Sequence, residues 1–181
     1  MLVKEAKLIT GSMTRTSKMP GLSYSLPAWE CQTGSKLRKV EGTPCFGCYA
    51  LKGNYIRYPA IKKAQYKRLA SLVHDSWVMA MVAQVKRQKW FRWHDAGDVQ
   101  SVDHMKKIFE VCRLTPGTSH WLPTQERKYL PLQGITAIAG RAFNLTELGT
   151  CLAFPGWQAV AQARHFGCSG HGPCNFFCFF Y

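Results

Sequence analysis

Two cysteines separated by two residues, Cys45 and Cys48, constrain this chain more than any other feature. A tight turn can bring both of their sulfurs into the coordination sphere of one metal. A third cysteine, Cys31, precedes them across a polar, basic and glycine-containing loop, residues 32–44. The far end of the chain repeats the pattern with Cys168, Cys174 and Cys178. These cysteines predict a metal or iron–sulfur centre that ties the two ends of the chain together.

Three arrangements of these six cysteines are open. Each group could add a histidine to form a Cys3His zinc site, with His165 and His171 near the second group. Three cysteines could instead hold a 4Fe–4S cluster and leave one iron open for a substrate or cofactor. The two groups could also share one site. Thiolates suit zinc and iron–sulfur clusters alike, so spacing alone does not choose between them, and buried inert thiols are the alternative to any metal.

Length and charge define the class of protein. The 181 residues are enough for one domain, residues 1–181, with its own core. Lys and Arg number 24 against 10 Asp and Glu, a net charge of +14, which favours a polyanionic partner such as nucleic acid or a nucleotide. The first ten residues lack the apolar core of a signal peptide, and no apolar run reaches the ~18 residues of a membrane span. We therefore expect a cytoplasmic protein with no membrane partner, in which clustered cysteines stay reduced.

The first half of the chain predicts an extended entry followed by helices. Residues 1–30 contain loop signals and a short alternating stretch, 22–27, typical of a half-buried strand. After Pro59, apolar residues recur at helical spacing, and Asp75 is a candidate cap for a second helix. The opposite face of the first helix carries Lys62, Lys63, Lys67 and Arg68. That face is either solvated or binds phosphate.

The second half predicts an α/β domain. Residues 90–93 are short and aromatic, as in a strand, and Ser101 begins a helical pattern that Pro116 stops. A second strand candidate covers residues 118–123, with further strand-like pieces at 135–139 and 143–148. A strand, a helix of this length and a strand indicate a parallel crossover.

Polar residues follow both of these strands. His94, Asp95 and Asp98 come directly after the first, at the edge where open α/β sheets bind ligands. They could perform acid–base chemistry, orient a cofactor or hold a cation, although Asp98 could merely cap the following helix. Thr124 and Arg127 follow the second strand, where Arg127 could bind an anionic group or lie free at the surface.

The combination of these motifs resembles the phage gene product 88-like family across nearly the whole chain. The N-terminal part of the resemblance is carried by Tyr24-Ser25-Leu26-Pro27-Ala28, Cys31 and Cys45-x-x-Cys48-Tyr49-Ala50. The remainder is carried by Arg92-Trp93-His94-Asp95-Ala96-Gly97-Asp98, Trp121-Leu122-Pro123-Thr124 and the closing cysteines. The resemblance implies a bacteriophage origin and an iron–sulfur centre.

The early cysteines and βα units of that family are similar to those of radical S-adenosylmethionine enzymes. This similarity implies an open or incomplete βα barrel with parallel strands, in which the N- and C-terminal cysteine groups come together. Two features depart from the pattern. Cys31 lies farther from Cys45 than the cysteines of the compact triplet that is usual in radical S-adenosylmethionine enzymes. In addition, Cys178 is followed by Phe179, where the gene product 88-like family has tryptophan. S-adenosylmethionine binding is compatible with the resemblance but has no support from the residues themselves.

The leading hypothesis is a phage-encoded 4Fe–4S protein, an enzyme that acts on a nucleic acid or nucleotide. Six cysteines would hold the metal: Cys31, Cys45, Cys48, Cys168, Cys174 and Cys178. His94, Asp95 and Asp98 would be catalytic, and Thr124 and Arg127 would bind substrate. The alternative is a non-enzymatic, zinc-stabilised protein that binds nucleic acid or a host protein.

Overall fold

A computed structural model describes residues 1–17, 21–129 and 151–153 of the chain, with only the backbone of the last three. The helices are α1 (Val3–Thr10), α2 (Gln32–Leu37), α3 (Asn54–Arg57), α4 (Pro59–Ser71), α5 (Trp77–Val85) and α6 (Val102–Leu114). The strands are β1 (Leu22–Tyr24), β2 (Trp90–Trp93), β3 (Ser119–Pro123) and β4 (Cys151–Ala153). Short 3-10 helices cover Ala28–Glu30, Tyr49–Leu51 and Arg127–Tyr129.

The four strands form one sheet in the order β1-β2-β3-β4. The first three strands are parallel, with Tyr24 beside Trp93 and Arg92 beside Trp121, and β4 runs antiparallel to β3. Helix α6 is the crossover from β2 to β3, so the predicted parallel α/β unit is confirmed. Because β1, β2 and β3 are parallel, their carboxyl ends meet at one edge of the sheet.

An aromatic core lies between this sheet and helices α5 and α6. Trp77 of α5 stacks on Trp93 of β2, with ring centroids 6.2 Å apart. The fully buried side chains around them include Tyr24, Met81, Met105, Ile108 and Leu122. Burying side chains of this size stabilises the fold by about 1.5–3 kcal/mol each. Helix α6 begins where the sequence predicts, since the Ser101 hydroxyl accepts a hydrogen bond from the backbone N–H of His104 at 3.0 Å.

The prediction of an extended entry was wrong for residues 3–10, which form helix α1. This helix buries Ala6 and Thr10 and packs against α5, where Ala80 and Ala83 offer small side chains. Its apolar stripe is too short to be recognised without its partner helix. Tertiary packing therefore creates this helix more than its intrinsic propensity does.

The prediction that Arg68 shares the solvent face of α4 was also wrong. Arg68 is buried, and its guanidinium donates to the backbone oxygen of Ser12 at 2.7 Å and to that of Ser25 at 3.3 Å. Gln65, one turn before Arg68, is fully buried. By contrast, the apolar Val73, just after the end of α4, is 85% exposed. The inward face of α4 is polar, and hydrophobic periodicity does not detect such a face.

The cap position of the helix after α4 is one residue later than predicted. Ser76 precedes the first residue of α5, and Asp75 is exposed. Within the described ranges, no helix combines the length and apolarity needed to cross a bilayer. The strand-like pieces at 135–139 and 143–148, and the closing group Cys168, Cys174 and Cys178 with His165 and His171, lie outside the described residues.

Candidate functional site at the carboxyl edge of the sheet

The segment that follows β1 carries the first cysteine group. Cys31 comes directly after the 3-10 helix Ala28–Glu30 and immediately precedes α2. Cys45 and Cys48 flank a turn in which the Cys48 N–H donates to the Cys45 carbonyl at 3.1 Å. Gly47 has a φ of +61° at the third position of this turn, a conformation that glycine adopts without steric cost. The turn places both sulfurs on one short loop, as the spacing predicts.

Helix α2 contributes a glycine to the space between the cysteines. A Cβ atom built on Gly34 would stand 3.5 Å from Cys45 Sγ and 3.7 Å from Cys31 Sγ. Cys48 and Cys31 both pack against a small cluster formed by three alanines, Ala28, Ala50 and Ala96. The fold thus brings Cys31 and Cys45 to Gly34, where a larger side chain would contact both sulfurs, and it brings Cys31 and Cys48 to one cluster of alanines. Their role as ligands stays a prediction.

The electrostatic surroundings of these thiols are negative. Burial raises the pKa of Cys45 to about 11, and the charges of Cys48, Asp98 and Glu126 raise it further. Burial, and to a smaller extent the charge of Asp98, also raises the pKa of Cys31. A bound cation reverses this preference, because a coordinating thiol is deprotonated outright. A cation bound by these sulfurs would therefore favour their thiolate forms.

The donor set can be tested against the predicted metals. Among the described residues, no three His, Cys, Asp or Glu side chains are placed so that together they could hold one metal ion. Sulfurs that share one zinc stand about 3.8 Å apart, since each Zn–S bond is about 2.3 Å in a tetrahedral site. In an iron–sulfur cluster each thiolate ligates its own iron, so the sulfurs can be farther apart. The soft thiols around Gly34 are compatible in chemistry with such a cluster.

Asp98 joins the ends of two strands. Its carboxylate accepts hydrogen bonds from the backbone N–H of Val99 at 2.7 Å, the hydroxyl of Thr124 at 2.5 Å and the backbone N–H of Gln125 at 2.8 Å. Burial raises the pKa of Asp98 to about 6, and these three hydrogen bonds oppose the shift. The carboxylate links the loop after β2 to the end of β3. It does not cap α6, because Ser101 does.

Glu126 links the end of β3 to the cysteine segment. It is fully buried, and its carboxylate accepts from the Thr33 backbone N–H at 2.6 Å and from the Thr33 hydroxyl at 2.7 Å. Thr33 lies in the first turn of α2, two residues after Cys31. The Glu126 backbone N–H donates to the Thr124 hydroxyl at 3.0 Å, so this hydroxyl is used within the protein. Hydrogen bonds therefore run from Asp98 to the helix that follows Cys31.

Asp95 accepts hydrogen bonds from two tyrosines that follow Cys48 in the chain. Its carboxylate accepts from the Tyr55 hydroxyl at 2.9 Å, and its backbone oxygen accepts from the Tyr49 hydroxyl. The second carboxylate oxygen of Asp95 is buried without a hydrogen-bond partner among the described residues. Sequence reasoning missed both tyrosines; their position just after Cys48 is the only signal.

His94 has the most unusual environment at this edge. It is buried with a φ of +55°, a region that costs energy for a residue with a Cβ. Burial and then the nearby Arg92 charge lower the pKa of His94 to about 3, so its ring is neutral at pH 7. The Tyr24 backbone opposes this shift in pKa, although neither ring nitrogen forms a hydrogen bond of ordinary geometry with a described residue. One donor and one acceptor are therefore available for chemistry.

A second histidine, which sequence reasoning missed, contacts the first. The ring of His104 on α6 lies edge to face with that of His94, with centroids 5.3 Å apart. His104 Nδ1 accepts from the Gln100 backbone N–H at 3.2 Å, which leaves the proton of the neutral ring on Nε2. Burial lowers the pKa of His104 well below its ordinary value. Its position within an amphipathic helix pattern gave no functional signal.

The remaining predicted site residue, Arg127, begins the 3-10 helix after Glu126 and is exposed. The structure therefore brings His94, Asp95, Asp98 and Thr124 together with Cys31, Cys45 and Cys48 at one edge of the sheet. Arg127 follows the end of β3 and is exposed to solvent.

Comparison with known proteins identifies one relationship. The family model described as Gene product 88 matches residues 1–138 of the chain. No curated protein and no solved structure matches the chain. The matched segment contains the first cysteine group and all the strand-edge residues described above.

Proposed function

Because the chain belongs to the gene product 88 family, we propose that it is an iron–sulfur protein. In this proposal Cys31, Cys45 and Cys48 hold a 4Fe–4S cluster at the carboxyl edge of the sheet. The observation that carries it is the proximity of the three cysteines in the segment that follows the first parallel strand: Cys31 and Cys45 both adjoin Gly34, and Cys31 and Cys48 pack against the same alanine cluster. When bound with three cysteine ligands, such a cluster supplies one-electron chemistry and an iron open to a substrate or cofactor.

The residues of the chain itself have separate tasks in this proposal. Asp98 and Glu126 position the cysteine segment, since their carboxylates are fully engaged by protein hydrogen bonds. His94 is the candidate acid or base, because its neutral ring keeps both nitrogens available. Arg127, exposed at the same edge, is positioned to bind a phosphate or carboxylate. The net charge of +14 favours a nucleic acid or nucleotide as substrate.

Two finer features belong to the same proposal. The parallel strands follow each other in chain order, which is the order in a βα barrel, so we propose an incomplete barrel. Cys168, Cys174 and Cys178 would add ligands from the other end of the chain. S-adenosylmethionine is a compatible cofactor, with no observation at the strand edge that selects it. The cytoplasm of the host is the expected location.

Metal analysis tests the proposal directly. Protein purified anaerobically is expected to be brown and to contain iron and acid-labile sulfide in equal amounts. Cys45→Ala should lose most of both, whereas Cys112→Ala should keep them, because Cys112 packs against the apolar core. A colourless protein with stoichiometric zinc would contradict the cluster.

A zinc-stabilised, non-enzymatic protein that binds nucleic acid is the second candidate. The exposed lysines of α4 (Lys62, Lys63 and Lys67) favour it, because they form a cationic surface without requiring chemistry at the strand edge. Binding would then weaken steeply with salt. Capture of an acidic host protein from a nuclease-treated lysate would indicate a host-interaction role instead.

A further inference from the structure

The segment around the second and third cysteines has an extreme charge. Residues 42–74 contain six Lys and Arg and no Asp or Glu. Arg68 is buried, but Lys52, Arg57, Lys62, Lys63 and Lys67 are exposed. Every Asp and Glu of the chain lies outside this stretch of sequence. This stretch, which includes the cysteine turn, therefore contributes +6 to the net charge of +14.

The same segment exposes aromatic rings. Phe46, Tyr49 and Tyr58 are 53%, 51% and 49% exposed, although aromatic side chains of this size are usually buried. Phe46 lies between Cys45 and Cys48. Helix α3 packs against both the 3-10 helix Tyr49–Leu51 and α4, so the elements that carry these rings and the lysines are neighbours in the fold.

Two of the exposed rings are fixed in place. Tyr49 donates its hydroxyl to the Asp95 backbone oxygen and meets Tyr55 edge to face, with centroids 6.1 Å apart. Tyr66 donates its hydroxyl to Glu30 Oε1 at 2.8 Å. Each ring therefore has a restrained edge and an accessible face. A restrained ring loses little conformational entropy when a ligand stacks on it.

We propose that this aromatic–cationic surface, from Phe46 to Lys67, binds single-stranded nucleic acid. Unpaired bases present faces that stack on Phe46, Tyr49 and Tyr58, while the lysines track the phosphates. A duplex hides those faces inside its own stack. Because Phe46 lies within the cysteine turn, a strand on this surface passes beside the proposed reactive site. The inference rests on the proposed function only in that last respect.

Fluorescence anisotropy of the full chain tests the inference. The probes are a fluorescein-labelled oligothymidine of about 12 nucleotides and its duplex with oligoadenine, a length that matches ordinary single-strand sites. The single strand should bind at least about tenfold more tightly. The double variant Phe46→Ala/Tyr58→Ala should weaken that binding roughly 30-fold or more, because two stacking rings are lost, and leave duplex binding unchanged.

A charge-matched pair of variants separates a located site from diffuse attraction. Lys63→Gln/Lys67→Gln should make the log–log salt dependence less steep by about 1.4, the value for two lost phosphate contacts on a single strand. The control Lys86→Gln/Arg87→Gln removes the same charge from exposed positions beyond α5 and should change little. Met79→Ala on α5, also exposed, is the control for the aromatic variants.

Several results would overturn the inference: equal affinity for duplex and single strand, unchanged binding by Phe46→Ala/Tyr58→Ala, or equal effects of the two charge variants. Iron analysis of each preparation keeps the two proposals apart. Iron-containing protein that binds no oligonucleotide overturns only this inference. Iron-free protein that binds the single strand in the expected way contradicts the cluster and supports the surface.

Discussion

Two groups of buried polar residues lie at the same edge of the sheet and differ in how their hydrogen bonds are used. Asp98, Thr124 and Glu126 form a connected set with partners on three segments. His94 and His104 lie a few residues away, and three of their four ring nitrogens have no partner in the described part of the chain. The first group links separate segments of the fold, whereas the second leaves buried ring nitrogens without a described partner.

The difference shows that burial alone does not identify a catalytic residue. A buried carboxylate with three donors around it is a structural group, because losing it leaves those donors unpaired. A buried imidazole in a strained backbone conformation contributes little to stability when its ring nitrogens have no partners. Sequence motifs place both kinds of residue together in the run 94–98. The following experiments distinguish them.

Asp98→Asn is expected to have the largest effect. The amide replaces one acceptor oxygen with an N–H that faces other donors, so stability should fall by about 3 kcal/mol. Urea unfolding at pH 7.5 measures the loss. The matched control Asp103→Asn, at a side chain that is 86% exposed, should stay within about 0.5 kcal/mol of the native chain. Equal stabilities of the two variants would contradict the structural role of Asp98.

His94→Asn should reveal a pH dependence rather than a large loss. At pH 7.5 we expect a change of about 1 kcal/mol or less, because no hydrogen bond is broken and asparagine tolerates a positive φ. The folded pKa of His94, about 3, is below the ordinary value of 6.5, so its stabilising effect is present above pH 6.5 and is lost as the pH falls. Between pH 6.5 and 5 the native chain should lose about 2 kcal/mol more than the variant.

Urea unfolding across that pH range provides the measurement. Other titrating groups, including Asp98, are common to both proteins and cancel in the comparison. His74→Gln, at an exposed position, should follow the native chain. Parallel pH curves for the native chain and His94→Asn would show that the His94 ring is charged in the fold, and would remove its role as a neutral acid or base.

Glu126→Gln should lower stability by about 1.5 kcal/mol, less than Asp98→Asn does, because the amide oxygen still accepts from the Thr33 backbone N–H. Loosening the first turn of α2 should expose Cys31. Alkylation of Cys31 by iodoacetamide in metal-free protein, followed by mass spectrometry, should therefore accelerate relative to Cys112.

Glu110→Gln is the control for that experiment. Glu110 pairs with Arg113 at 2.6 Å on the surface of α6, and such pairs contribute up to about 1 kcal/mol. It should leave Cys31 alkylation unchanged. Identical Cys31 alkylation in Glu126→Gln and the native chain would show that Glu126 does not position the cysteine segment.

Much of the fold could be predicted from local patterns. The aromatic run 90–93, the helix after Ser101 and the strand that ends at Pro123 have the periodicity of their elements and are where the sequence places them. Helix α1 could not be predicted, because its short stripe is stable only against Ala80 and Ala83. The inward face of α4 was misassigned because Gln65 and Arg68 are polar residues in a buried position.

The sequence predicted where several candidate residues lie but not how they are connected. Cys45 and Cys48 and the group His94, Asp95 and Asp98 lie at one edge of the sheet, as expected from parallel strands that end together. Their roles stay a prediction. The Glu126–Thr33 and Tyr55–Asp95 hydrogen bonds join residues that are far apart in the chain, and no local pattern encodes them.

The sequence by itself determined the parallel α/β unit, the cysteine turn and the positive charge of residues 42–74, since each depends on neighbouring residues alone. Only the tertiary structure decided which polar groups are structural and which are available. That distinction depends on the donors that burial brings to each group: Asp98 received three, and His94 received none at its ring. The free energy of a buried polar group is determined by its partners, and those partners come from distant parts of the chain.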